Sequence, residues 1–90
     1  PVNISINDVA AHYTPTQNDP TVFHNGDVVK LDVGAHINGY IADTATTIEI
    51  GTNTYTPMIE AVSNALNNAI TQMQANISLS DIGKTVETTL

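Results

Sequence analysis

The ninety-residue chain contains no cysteine, no tryptophan and no arginine. Without cysteine, disulfides and thiolate-held metal sites are excluded. Without arginine, and with two lysines against nine acidic residues, the formal charge is −7. Nucleic-acid binding depends on basic side chains facing phosphates, so no nucleic acid is expected on this segment. The same charge disfavours an anionic membrane surface. No apolar run reaches the roughly 20 residues that span a bilayer, and no signal-peptide pattern is recognised. A cytoplasmic location is expected. Aromatic residues are few, three tyrosines and one phenylalanine, so aliphatic side chains must supply the packing.

Ninety residues suffice for one small domain with a single core. The chain opens on Pro1-Val2-Asn3 without Met and reaches Leu90 in an apparently continuing helix pattern, so a fragment of a longer polypeptide is expected. Residues 2 to 14 alternate as Val2, Ile4, Ile6 and then Val9, Ala11, Tyr13, with a change of parity at Asn7-Asp8. That pattern predicts two short strands separated by a turn or bulge. The Pro, Asn, Asp and Gly of residues 15 to 27 predict a loop closing in a tight Asn25-Gly26 turn. Strand character then runs from 28 to 50 with Gly51 as the stop. The period changes at Thr56-Pro57, read as an N-cap followed by a first-turn proline. Ile59, Val62, Leu66, Ala69, Ile70 and Met73 form one helical stripe, and Met58 is assigned with Met73 to helix packing. Ser78-Leu79-Ser80-Asp81 resembles a capping box, and Leu79, Ile82, Val86 and Leu90 continue a second stripe. Strands followed by helices predict an α+β class, with residues 1–51 β-rich and 52–90 forming two helices of a single partial domain.

The segment 29–46, VKLDVGAHINGYIADTAT, carries the chemistry. Asn-Gly between alternating strands favours a two-residue type I′ hairpin loop. With Asn38 and Gly39 in that loop, Gly34 faces Asp43 and Asp32 faces Ala45. Asp32, Gly34, His36, Ile41, Asp43 and Ala45 then share one face of the sheet. The aspartates become diagonal neighbours, their Cβ atoms a little under about 7–8 Å apart, with glycine and alanine leaving room between them. A three-residue loop would instead separate them onto opposite faces. Lys30 is on the same face and could pair with one of them. Two carboxylates sharing a site favour a proton or a cation between them, and their hard oxygen atoms suit divalent ions. The alternative is a solvated hairpin face.

The run SINDVAAHYTP followed by DVVKLDVGAHINGYIADTATTIEIG resembles the type II methionine aminopeptidases of archaea and eukaryotes. A looser frame, D-x-G with G-[FY]-x-x-D-x-[AT], is shared across the pita-bread superfamily that includes prolidases and aminopeptidase P. The resemblance extends over the whole chain. It implies a pita-bread fold, of which these residues form most of the first of two α+β halves. It implies that Asp32 and Asp43 are metal ligands, with Asp43 bridging two divalent ions (Co, Mn, Fe, Zn or Ni), and that His12 contacts substrate. The remaining histidine and two glutamates of the family's site do not fall on His24, His36 or any other residue here. His24 is read as a solvated loop residue and His36 as a partly exposed turn-flanking one, the alternative being that it approaches the site from the aspartate face.

The function the resemblance implies is removal of the initiator Met from nascent proteins. The implied substrates are polypeptide or peptide N-termini; the implied cellular partner is the ribosome, and the expected state is a monomer. The alternatives are a prolidase-like or aminopeptidase P-like metallopeptidase, and a non-catalytic binding protein of the proliferation-associated type. The first is disfavoured by His12-Tyr13-Thr14-Pro15 and by Ala45 where prolidases commonly carry a T-R-T sequence. Retention of both aspartates disfavours the second.

Overall fold

A computed structural model describes all ninety residues. The elements run β1 (Val2–Ile6), β2 (Val28–Ile37), β3 (Tyr40–Glu49), α1 (Thr56–Gln72) and α2 (Leu79–Thr89). Two compact units result, Pro1–Asn53 and Thr54–Leu90.

The first unit is an antiparallel three-stranded sheet ordered β1-β2-β3. Asn38 and Gly39 form the hairpin loop, with φ values of 52° and 85°. Both central residues of a type I′ turn need positive φ, which glycine meets freely and asparagine tolerates. Ile37 therefore pairs with Tyr40, Gly34 with Asp43 and Asp32 with Ala45, as the hairpin rule predicts. On its other edge β2 pairs with β1, placing Asn3 opposite Asp32 and Ser5 opposite Lys30. One face thus carries Asn3, Ser5, Lys30, Asp32, Gly34, His36, Asp43 and Ala45. The other carries Ile4, Ile6, Val29, Leu31 and Ile48. Val29 and Ser5 are fully buried, and the Ser5 hydroxyl has a partner in the Tyr13 N–H at 3.3 Å.

The second predicted strand of residues 2–14 does not form. Asn7 takes a left-handed φ of 51° and turns the chain, as the parity change suggests, but His12 at 67° breaks the extended run that follows. Two backbone bonds tie this stretch to β1, from the Val9 N–H to the Ile6 carbonyl at 3.0 Å and from the Ile4 N–H to the Tyr13 carbonyl at 2.8 Å. The loop of residues 15–27 returns to the sheet through Gly26 N–H to the Ile50 carbonyl at 2.7 Å and Ile50 N–H to the Asp27 carbonyl at 2.9 Å. Asp27 also accepts from the His24 N–H at 2.8 Å and from the Asn7 amide at 2.9 Å.

In the second unit α1 and α2 run antiparallel, tied by Asn68 to Thr89 at 3.2 Å and by Thr85 to Gln72 at 2.8 Å. Tyr55, not Thr56, is the N-cap of α1, so the proline lies within the first turn and Thr56 is already helical. Ser78 caps α2, its hydroxyl accepting from the Ser80 N–H at 3.3 Å. The buried residues of α1 are Ala65 and Ala69, while Val62, Leu66 and Ile70 are exposed. Met58 and Met73 are also exposed, at 65% and 63%, so their assignment to helix packing does not hold within the pair. The small alanines let the helices approach, and that geometry turns the long side chains outward.

Two glycines separate backbone demand from open space. Gly51 has a φ of 68°, and a Cβ there would collide with the Asn25 side chain. Gly51→Ala is expected to destabilise the protein by about 1–2 kcal/mol from backbone conformation alone, and by more with the collision. Gly83 lies inside α2 with nothing within 4 Å of a built Cβ. Gly83→Ala is expected to stabilise by about 0.8–1.0 kcal/mol. Urea denaturation midpoints of the two variants should move in opposite directions.

Candidate metal centre

The strand ladder brings Asp32 and Asp43 to one face as diagonal neighbours, Asp32 half-buried and Asp43 exposed. Gly34 stands directly opposite Asp43 and adds no side chain of its own between the carboxylates, while the Pro1 ring lies 3.7 Å from where a Gly34 Cβ would be. The result is a hollow of about 370 Å³ whose walls include Asn3, His12, Asp32, Gly34, His36 and Asp43. Lys30, the one cation on this face, points elsewhere: its ammonium donates to the Asn7 carbonyl at 2.6 Å. The ion pair with Asp32 that the sequence allows is therefore not made.

The donor set fits a divalent cation in kind. Two carboxylates offer hard oxygen ligands on either side of an open hollow. It does not fill a coordination shell, which takes four to six or more donors. No group of three or more His, Asp or Glu side chains within the chain is arranged to hold a metal. Asp32 and Asp43 alone would supply only part of such a shell.

His12 reaches this hollow from a loop, not from a strand. Its φ of 67° is uncommon for a residue other than glycine, and such strain persists only where neighbouring bonds impose it. Those bonds are identifiable. The Tyr13 carbonyl and N–H are held by Ile4 and by the Ser5 hydroxyl, and the Thr14 hydroxyl donates to Asn3 Oδ1 at 2.7 Å. The Tyr13 hydroxyl donates to Asp19 Oδ2 at 2.7 Å. Asp19 also accepts from the Thr21 N–H at 2.9 Å. These bonds hold the Asp19 carboxyl below its ordinary range, the Thr21 contribution being largest, and the Asp19 contact raises the Tyr13 hydroxyl above its own.

Of the other histidines, His24 is solvent-exposed with Nδ1 at 3.7 Å from Asp27, remote from the hollow's walls. His36 is exposed as expected beside the turn, yet it also lines the hollow, and its Nδ1 accepts from the Gly39 N–H at 3.3 Å. Pro1 and Asn3 are wall residues that sequence reasoning missed. Their placement depends on β1 pairing with β2 across the long connection from Asn7 to Asp27, for which no short-turn rule gives a register.

The profile of metallopeptidase family M24 matches residues 1–90. The chain is 54% identical over 87 residues to a methionine aminopeptidase of Archaeoglobus fulgidus, covering 97% of this chain and 29% of that protein. It is 47% identical over 90 residues to a methionine aminopeptidase of Thermococcus onnurineus, covering 100% of this chain and 30% of the relative. Among solved structures, the methionine aminopeptidase of Thermotoga maritima superposes with a TM-score of 0.83 at 28% identity, covering 98% of this chain and 35% of that one. The enzyme from Rickettsia prowazekii gives 0.75 at 27% identity over the same shares. The fold is the α+β pita-bread arrangement that the hairpin sequence implies. The chain spans about 30% of the length of the curated relatives it matches.

The Tyr13–Asp19 clamp that shapes the His12 loop has a defined pH window. A lowered Asp19 contributes stability above the ordinary aspartate value of about 3.9 and loses it as pH falls through its folded value. A raised Tyr13 contributes stability below about 10 and loses it as pH rises through its folded value. Asp19→Asn should return the Tyr13 ionisation toward about 10, as followed by ultraviolet difference titration. An unchanged Tyr13 titration in that variant counts against the clamp.

Proposed function

Because the chain belongs to metallopeptidase family M24, we propose that these residues serve in a methionine aminopeptidase that removes the initiator Met from nascent proteins. The observation that carries the proposal is the placement of Asp32 and Asp43 on one face of a fixed hairpin, around a hollow that His12 also lines. In this reading Asp32 and Asp43 would hold two divalent ions together with residues from elsewhere in the protein, Asp43 being the shared ligand that the resemblance implies. Co, Mn, Fe, Zn and Ni are all compatible with carboxylate donors, and availability would select among them. The metals supply Lewis-acid polarisation of the scissile carbonyl and activation of water.

The chain's own residues position the substrate. His12, held by its clamped loop, presents an imidazole toward the scissile amide, and Gly34 leaves space for peptide backbone against the sheet. The strongly acidic surface suits a free cationic N-terminus, since opposite charge steers encounter. The substrate class is the N-termini of peptides or nascent chains, met in the cytoplasm at the ribosome. No nucleic acid or membrane is engaged by these residues, and the working unit is a monomer. The ninety residues act as one part of a catalytic domain.

In a protein of full family length, Asp43→Ala should lower Met release to background and reduce metal content by elemental analysis. Asp8→Ala, in the turn after β1, should alter neither. Full activity of the Asp43 variant under metal excess would refute the shared-ligand role. The ninety residues alone should release no Met from peptides, because two carboxylates cannot hold and orient a dinuclear centre. Turnover by the isolated segment, free of contaminating peptidase, would overturn this.

A further inference from the structure

We propose that His36 is a substrate-contacting residue, donating a hydrogen bond from Nε2 to a backbone carbonyl of the peptide downstream of the scissile bond. The inference rests on the aminopeptidase reading above and adds to it a second point of substrate contact.

Three observations converge on His36. The register puts it on the carboxylate face: on β2, Asp32 and His36 flank Gly34, and Gly34 is the residue opposite Asp43. Asp43 therefore has Asp32 on one diagonal and His36 on the other. His36 also lines the same hollow as Asp32, Asp43 and His12. Finally, Nδ1 accepts from the Gly39 N–H at 3.3 Å, within a turn whose positive φ values keep that N–H in place.

That bond decides what the imidazole can do. A ring whose Nδ1 lone pair accepts from Gly39 carries its proton on Nε2 in the neutral form. Nε2 is then a donor, with no lone pair for a metal and no capacity to take up a substrate proton. A neutral donor beside a carboxylate pair suits a carbonyl oxygen. Its place along the strand sets which one. His36 lies two residues from Gly34, about 7 Å along β2 toward the hairpin tip. An extended peptide advances about 3.3–3.6 Å per residue, so the contact falls about two residues from the group held at the carboxylates. An aminopeptidase substrate has a single residue upstream of the scissile bond, so that position can exist only downstream. Ile41, directly across from His36 and 80% exposed, gives the same stretch of peptide an apolar wall.

The test uses the full-length, metal-loaded enzyme with methionyl peptides of two to five residues. His36→Ala should leave kcat/KM for the dipeptide unchanged and lower it about five-fold for the tetrapeptide and pentapeptide, the loss of one neutral hydrogen bond. His36→Gln, which keeps an N–H donor, should recover most of the difference. Nitrogen-15 spectra of histidine-labelled, metal-free enzyme should show the Nε2–H tautomer at His36. A length-independent effect of His36→Ala, or a predominant Nδ1–H tautomer, overturns the proposal while leaving the aminopeptidase reading intact. Failure of the wild-type enzyme to cleave any methionyl peptide overturns both.

Discussion

A two-residue turn at Asn38-Gly39 holds both central residues at positive φ, and that backbone requirement propagates through every pairing of β2 with β3. Closing the hairpin on Ile37 and Tyr40 sets Gly34 against Asp43, and the alternation of side chains then puts both aspartates and His36 on one face. A slip of one residue in one strand would leave the aspartates on opposite faces. The same turn supplies the Gly39 N–H that holds the His36 ring. Spacing, facing and ring orientation at the candidate site therefore have one local origin.

Charge explains why the arrangement is tolerable in an open hollow and becomes costlier where water is excluded. Two carboxylates about 7 Å apart repel by about 0.6 kcal/mol in a water-like dielectric. At an effective dielectric of 20 the repulsion rises to about 2.4 kcal/mol. Asp43 is exposed and Asp32 half-buried, so in the open sheet the cost is near the smaller figure. Displacing water from the hollow would move the pair toward the larger one, unless positive charge lay between them. The only lysine on the face is committed to the Asn7 carbonyl. No lysine on this face neutralises the pair.

The hairpin was legible in the sequence because its rule is local. Asn-Gly specifies the turn, the turn specifies the pairing, and period-two alternation does the rest. The helix pair was legible for the same reason, from apolar spacing and the Ser78 cap. What local rules do not reach was misread. Val9, Ala11 and Tyr13 alternate like a strand, but the chain there is shaped by side-chain hydroxyls of Ser5 and Thr14 and by a left-handed His12. The helical stripe of α1 identified a real amphipathic face, yet the pair packs through Ala65 and Ala69. Small residues contribute little to an apolar pattern, although they govern how closely two helices approach. Tyr55 displaces Thr56 as the cap by a single residue, a boundary that periodicity does not resolve.

The site owes its shape to hydrogen-bonded backbone more than to packing. The fully buried side chains are Val29 and Ser5, and Ser5 is polar. Its hydroxyl satisfies the Tyr13 N–H at the edge of the sheet, so burial there fixes a loop rather than only filling a core. Asn7 extends the same principle at the far end: its side chain bonds the Val28 N–H and Asp27, while its carbonyl holds Lys30. Directional bonds fix positions that apolar contacts leave adjustable, because a hydrogen bond weakens steeply as its distance and angle depart from ideal. A sheet ladder, a turn at positive φ and a clamped loop thus fix Asp32, Asp43, His36 and His12 with few buried side chains.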